Sequence, residues 1–250
     1  GIDFELNNQW TLGTYGGYST GNTRYKMVST RIDTDAWYFG GYITYHGQNN
    51  LKGLSLTTNA LYSSTSNDTI RNVPLAIGNQ RMKGSFKQDI WGLGFEAAYD
   101  WRYDKQTILT PYISAKYTSM DQNSYIEQGP LGLRVSSTKA NTLITTLGMR
   151  WAKDIVYSEK TIITPQLSLG WTHNWGDREL VAHAAFVSSP VIFMTRSIRQ
   201  DRDAALFGAG VDIRMKKNNG TDWGIKAAYG ADARSNSLGH TIFLGVELRF

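Results

Sequence analysis

The sequence predicts an all-β protein whose antiparallel strands cross a bilayer as an up-and-down barrel, and three observations carry that reading. Apolar and polar residues alternate with a period of two along most of the chain, which in a strand puts them on opposite faces. About eleven such segments recur, each roughly ten residues long, the length a tilted strand needs to span a bilayer. The connections between them alternate short with long, as in barrels with tight turns at one membrane face and large loops at the other.

Composition narrows the field in the same direction. The 250 residues include 25 Gly, 14 Tyr, 9 Phe and 8 Trp, a profile unlike that of a helical bundle. A mean hydropathy of −0.37 and the lack of an 18-residue apolar run exclude a transmembrane helix. There is no Cys, which excludes disulfide frameworks and thiolate metal sites. The 26 Lys+Arg exceed the 21 Asp+Glu by five, spread along the chain, so no nucleic-acid partner is expected. No basic stretch followed by an apolar core opens the sequence, so no signal peptide is expected in it.

Taken in order, the alternating segments lie near 1–7, 10–20, 34–47, 52–62, 89–103, 107–118, 141–153, 162–175, 204–216, 222–233 and 240–250. In the fifth, Trp91, Leu93, Phe95, Ala97, Tyr99 and Trp101 share one face, and Ile90, Gly92, Gly94, Glu96, Ala98, Asp100 and Arg102 the other. The same division separates Leu143, Thr145, Leu147, Met149 and Trp151 from Ile144, Thr146, Gly148 and Arg150. In the last segment Ile242, Leu244, Val246, Leu248 and Phe250 oppose Phe243, Gly245, Glu247 and Arg249. Turn chemistry marks the short links at Asn7–Gln9, Gln48–Asn50, Tyr103–Gln106 and Lys217–Gly220. Pro111 and Pro165 each follow a short turn and are expected at a strand start, where the missing N–H does least harm. Long loops are expected over 63–88, 119–140 and 176–203. Within the last, 180–199 is apolar enough for either a hairpin above the membrane or a segment folded into the barrel mouth.

In a soluble sandwich the apolar face would form the core. Here aromatic residues mark the strand ends as interface girdles do. The polar face mixes glycine and tyrosine, as a narrow, self-filled lumen requires. The Trp91 face is therefore read as facing lipid. Eleven charged residues fall on the opposite face: Glu96, Asp100, Arg102, Lys116, Arg150, Asp212, Arg214, Lys226, Asp232, Glu247 and Arg249. Both signs are interspersed, which permits cross-strand pairing.

Five stretches go further. They are GIDFELNNQWTLGTYGGYSTG (1–21), LTPYISAKY (109–117), ITPQLSLGWTHNWGD (163–177), DRDAALFGAGVDIRM (201–215) and WGIKAAYGADARSNSLGHTIFLGVELRF (223–250). In content, order and spacing, and in ending on Phe250, the chain resembles the C-terminal translocator domain of type Va autotransporters. That resemblance implies a single domain over 1–250 in the outer membrane of a Gram-negative bacterium. It further implies an anchor that assists secretion of an N-terminal passenger to the cell surface. The implied partners are outer-membrane lipid, the passenger itself and the barrel-assembly machinery. That machinery would read Ile242, Leu244, Val246, Leu248 and Phe250 as an assembly signal. Such domains resemble twelve-stranded barrels with a helix in the pore. The first match here falls on the second strand, so the domain is expected to be N-terminally incomplete, with its seam filled by further residues or a partner rather than closed by eleven strands.

Enzymatic and metal chemistry find little support in the sequence. His46, His173, His183 and His240 are scattered and read as rim or loop residues rather than metal ligands. No Gly-x-Ser-x-Gly elbow, P-loop or dinucleotide fingerprint is present. Asp201-Arg202-Asp203 reads as a solvated loop, not a carboxylate pair. The expectation is therefore a non-enzyme with no cofactor and no catalytic residue. Some autotransporters cut the passenger loose with acidic lumen residues, but no scissile bond can be placed here. The alternatives are a barrel hydrolase, either surface protease or phospholipase, and a small porin.

Overall fold

A computed structural model describes residues 1–25, 29–76, 78–197, 199–216 and 222–249. The turn expected at 217–220 and the terminal Phe250 lie outside the described residues, as does the side chain of Arg249. In chain order the strands are β1 (Ile2–Asn7), β2 (Trp10–Tyr25), β3 (Thr30–His46), β4 (Leu54–Leu75), β5 (Gly78–Tyr99) and β6 (Trp101–Arg102). Then come β7 (Thr107–Gln122), β8 (Tyr125–Ile126), β9 (Leu133–Val135), β10 (Thr138–Lys153), β11 (Ile155–Ser158) and β12 (Thr161–Asn174). The chain finishes with β13 (Val181–Phe186), β14 (Ile192–Arg196), β15 (Asp203–Met215), β16 (Asp222–Ala233) and β17 (Leu238–Arg249). The one helical element is a single 3-10 turn at Asn49–Leu51 among the described residues.

An antiparallel meander runs β1-β2-β3-β4-β5-β7-β10-β12-β15-β16-β17, with β6 and β11 as short continuations of β5 and β10. These eleven strands are those the alternation predicts, in sequence order. Among the described residues β1 pairs only with β2, and β17 only with β16. The sheet curls toward its polar face into a half-barrel, which brings Glu247 on β17 within electrostatic reach of Tyr42 on β3, near the opposite end of the meander.

Register converts alternation into two continuous surfaces. Leu93 faces Tyr117, Leu147 faces Ile113 and Trp171, and Phe207 faces Leu169 and Ala231. This surface is left uncovered: Leu169 is 63% exposed and Leu244 77%. Met82, by contrast, is the largest fully buried side chain among the described residues. An apolar surface of that extent has no place in water and matches the lipid-facing band of a barrel. Aromatic rings edge it at both ends. Tyr18–Trp37 and Tyr62–Trp91 pack at 4.7 and 4.5 Å near one rim, and Trp10–Tyr45 at 5.1 Å near the other. The second rim also carries the short links. In one of them Asp104 accepts the amides of Gln106 and Thr107 at 2.7 and 2.6 Å, which hold its carboxyl below the usual range.

The long connections depart from expectation. Residues 63–88 are not a loop: β4 and β5 continue through them, each 22 residues long, as a rib well beyond the roughly ten residues a bilayer requires. The other two long connections contribute β8, β9, β13 and β14 to a second, four-stranded sheet. Within the apolar 180–199 segment, β13 and β14 form a hairpin, paired through β13 to β9.

The β8–β9 segment packs on the rib's polar-parity face. It lies against Gly84 and Met82 of β5, and Thr65, Asn67 and Thr69 of β4 are also buried on this face. Tyr125 stacks on Phe86 at 4.9 Å with its ring edge over Gly84, and burial pushes its hydroxyl pKa up. Glu127 is buried, where a lone carboxylate would be costly. Arg71 answers it with two hydrogen bonds (3.2 and 2.5 Å) and donates a third to the Leu131 carbonyl at 2.9 Å. Backbone bonds between Lys83 and Gln128 complete the attachment.

The two faces make opposite demands on a charge. Leu93→Arg or Leu147→Arg is expected to destabilise the folded state in lipid vesicles by about 2–4 kcal/mol. Thr146→Arg, one residue away on the polar face, is expected to cost much less. Denaturant titration of the three variants in vesicles checks this, and equal losses on the two faces would contradict the orientation.

Candidate functional site

The polar face is built on glycine–tyrosine pairs directly opposite one another across neighbouring strands. They are Gly13 with Tyr42, Gly40 with Tyr15, Gly17 with Tyr38 and Gly148 with Tyr112. In each pair the ring lies over the glycine. A Cβ on Gly148, Gly17 or Gly40 would come within 2.5 Å of the facing tyrosine, and one on Gly13 would also collide. Glycine therefore marks a close approach, not a flexible point. The rings lie flat on the wall, satisfying the narrow space with aromatic area.

Charges are mounted on this surface. The Arg150 guanidinium stacks over the Tyr112 ring, 4.0 Å from its centroid, and donates to both Glu96 oxygens at 2.8 and 2.6 Å. Three strands, β5, β7 and β10, are thereby tied together. The pair is only half shielded, so it contributes about 1 kcal/mol at most. Farther round, Arg214 meets Asp154 at 2.9 Å, and Lys226 sits 2.7 Å from Glu247 and 4.0 Å from Asp212. Tyr42 reaches back to donate to Asp3 at 2.5 Å. A cavity of about 770 Å³ opens on this face, lined among others by Asp100, Tyr112, Arg150, Gly208 and Asp232.

Of the eleven charged candidates, Glu96 with Arg150, and Asp212, Lys226 and Glu247, are gathered into contact or near it. Asp100 accepts from Thr110 at 2.8 Å. Asp232 stands at the far rim with Arg234, 3.1 Å away. Arg102 and Lys116 have no ion-pair partner among the described residues. Arg214 pairs with Asp154, a residue the alternation did not single out.

Asp154 belongs to a repeated device. Pro111 and Pro165 are not at strand starts; each is the fifth residue of its strand, β7 or β12. Each faces a lapse in the neighbouring strand, between β5 and β6 or between β10 and β11, where no amide is needed. At both lapses the threonine before the proline donates to an aspartate: Thr110 to Asp100 and, at 2.6 Å, Thr164 to Asp154. The recurring Thr-Pro dipeptide is the signal that could have found it.

The histidines stay apart. His173 meets Asp203 at 2.8 Å, His240 meets Tyr229 at 2.7 Å, and His46 meets Thr11 at 3.2 Å. Asp201 and Asp203 are likewise not a working pair: Asp203 opens β15 beside His173 and Trp171, while Asp201 lies beside Arg178 and Ser235.

One apolar and one polar face, eleven consecutive antiparallel strands and aromatic girdles at both rims define an outer-membrane β-barrel wall. Residues 1–238 match the model of the autotransporter β-domain, and the chain belongs to that family. It is thus the β-barrel domain of an autotransporter, a protein of the Gram-negative outer membrane. An extracellular serine protease of Serratia marcescens is 30% identical over 258 residues, spanning 100% of this chain but 23% of the relative. The translocator domain of the autotransporter NalP from Neisseria meningitidis superposes with a TM-score of 0.77 at 18% identity, over 99% of this chain and 78% of that one. The β-domain of the Bordetella autotransporter BrkA gives 0.61 at 18% identity, over 95% and 81%.

A branched side chain at Gly148 must displace Tyr112 and, with it, the seat of Arg150. Gly148→Val is expected to destabilise the barrel by about 1–3 kcal/mol, and adding Tyr112→Ala is expected to recover part of that loss. A double-mutant cycle by denaturant titration measures the coupling; additive losses would mean the ring is free to move aside.

Proposed function

We propose that the polar face forms a hydrophilic, self-neutralised wall along which the protein's own N-terminal passenger leaves the periplasm, while the Trp91 face holds the domain in outer-membrane lipid. The observation that carries this reading is the pairing of the inward charges with one another. Arg150 is matched by Glu96, Arg214 by Asp154 and Lys226 by Glu247. A wall neutralised in this way stays wettable yet offers no strong single-sign field to trap an extended chain. A selective channel would instead line its path with rings of one sign.

The same proposal assigns no catalysis to this domain. On this reading the hydrolytic activity in the names of the Serratia relatives belongs to the rest of those proteins, of which the chain matches 23%. Insertion is proposed to depend on the barrel-assembly machinery reading the outward face of the last strand, Ile242, Leu244, Val246 and Leu248, together with Phe250. All four described residues of that row are exposed and lie on the lipid-facing side of the sheet.

A reporter placed in the passenger of the full-length protein is expected to become accessible to added protease outside intact cells. Deleting Phe250 is expected to cut that surface signal severalfold while refolding of the barrel in detergent proceeds at nearly the normal yield. A reporter held in the periplasm behind a folded barrel would contradict the secretion reading. Equal losses in cells and in detergent would make Phe250 structural.

A further inference from the structure

The rib formed by β4 and β5 beyond the membrane has two different faces. Its inner face is occupied by the β8–β9 segment, fixed by the Arg71–Glu127 pair and the Tyr125–Phe86 stack. Its outer face continues the lipid-facing parity of Trp91 and is uncovered: Arg81, Lys83, Ser85 and Lys87 are all exposed, while Met82 and Gly84 between them are buried. Three cations thus stand in a row on one rigid, outward-facing strand, in line with an aromatic girdle.

Their heights are set by strand geometry. At about 3.3 Å per residue, Lys87 lies roughly 13 Å along the strand from Trp91, and Arg81 about 33 Å. With a tilt near 45° those become roughly 9 and 23 Å above the girdle. Lys87 is therefore at headgroup level, and Lys83 and Arg81 stand well above the phosphate of any ordinary phospholipid.

The surrounding charges leave these three available. Asp68 and Asp89 keep their charges on this face, accepting the Ser85 hydroxyl at 2.6 Å and the Tyr62 hydroxyl at 2.9 Å, but neither is in ion-pair contact with the three cations. On adjoining strands Asp33 is paired with Arg31 at 2.9 Å, Asp35 accepts from Tyr18 at 2.5 Å, and Asp121 meets Lys139 at 2.7 Å. Arg81, Lys83 and Lys87 have no ion-pair partner among the described residues. Opposite them on β4 stand Asn72, Ile70 and Ser66. That surface lacks the buried aromatic centre on which protein interfaces rest.

We propose that the outward face of the β4–β5 rib, through Arg81, Lys83 and Lys87, binds the phosphorylated glycolipid of the outer leaflet, with anionic groups of the lipid and its sugar headgroup ranged along the strand. Arginine suits a phosphate bidentately and lysine as a point charge. The packed inner face holds the row in place before any lipid arrives, which lowers the ordering cost of binding. The ligand's length is what distinguishes it: a single phosphate at the girdle reaches Lys87 alone, whereas charges on a sugar headgroup reach all three.

The test uses the full-length protein, extracted from outer membranes and exchanged into detergent. It is titrated separately with phosphorylated lipopolysaccharide and with phosphatidylglycerol, with bound lipid read by native mass spectrometry. Arg81→Ser/Lys83→Ser/Lys87→Ser is expected to weaken lipopolysaccharide binding by on the order of tenfold or more. Its effect on phosphatidylglycerol should stay within a few-fold, the share of Lys87. Heat-modifiable gel migration and surface display of the passenger report whether the triple variant folds. Lys83→Gln alone, expected to lose several-fold, serves if it does not, and the charge-preserving Arg81→Lys/Lys83→Arg/Lys87→Arg should bind as the unaltered protein does. Undiminished lipopolysaccharide binding in the charge-removing variants would overturn the proposal. So would equal loss for both lipids, which would indicate an ordinary phospholipid surface.

Discussion

A strand that enters hydrocarbon must find every backbone partner in its neighbours, because lipid supplies neither donors nor acceptors. The ladders give every strand of the meander from β2 to β16 a neighbour on both sides, while β1 and β17 are paired on one side among the described residues, and they fix much else besides. Once Gly94 is set opposite Lys116 and Gly148 opposite Tyr112, every side chain on those strands is committed to one face. A slip of one residue would send Leu93 and Leu147 inward and bring Glu96 and Arg150 into lipid. The apolar surface and the charged one are therefore a single consequence of register. Even the places where the ladder lapses obey the constraint, since Pro111 and Pro165 stand where no amide is required.

The polar face turns that register into a working surface. Tyrosine laid on glycine fills space without projecting, and Arg150 uses the Tyr112 ring as a seat from which to reach Glu96. Charge is thus held close to the wall and matched there. Above the membrane the same strands serve differently: β4 and β5 become a rib whose inner side anchors Glu127 and Tyr125 through Arg71 and Phe86. A transmembrane wall, a neutral lining and a fixed external rib follow from one meander, with the solvent on each side determining which residues are tolerated.

Legibility in the sequence tracks how local the controlling physics is. The alternation of 89–102 and of 240–250 reveals strand, face and orientation because the two solvents differ sharply across a single strand. Through 63–88 that contrast disappears: Asn67, Asp68 and Thr69 are all polar, so the period fades although the strands continue. Arg71 there is answered by Glu127, 56 positions away, and neither carries a mark of the other in the sequence. The mixture of glycine and tyrosine announced a crowded polar face, yet only register pairs Gly13 with Tyr42 and Gly148 with Tyr112. Similarly, the charge on Arg214 was visible while its partner Asp154, at a strand lapse, was not.

The central claim is that one face of each strand is solvated by lipid and the other by an aqueous lumen. The sequence contains no cysteine, so single cysteines can be introduced one at a time from Trp91 to Ala98 and spin-labelled in the membrane-inserted protein. Accessibility to dissolved oxygen is predicted to be high at 91, 93, 95 and 97 and low at 92, 94, 96 and 98, with a water-soluble nickel chelate giving the opposite order. A flat profile, or nickel access at the odd positions equal to that at the even ones, would contradict the account.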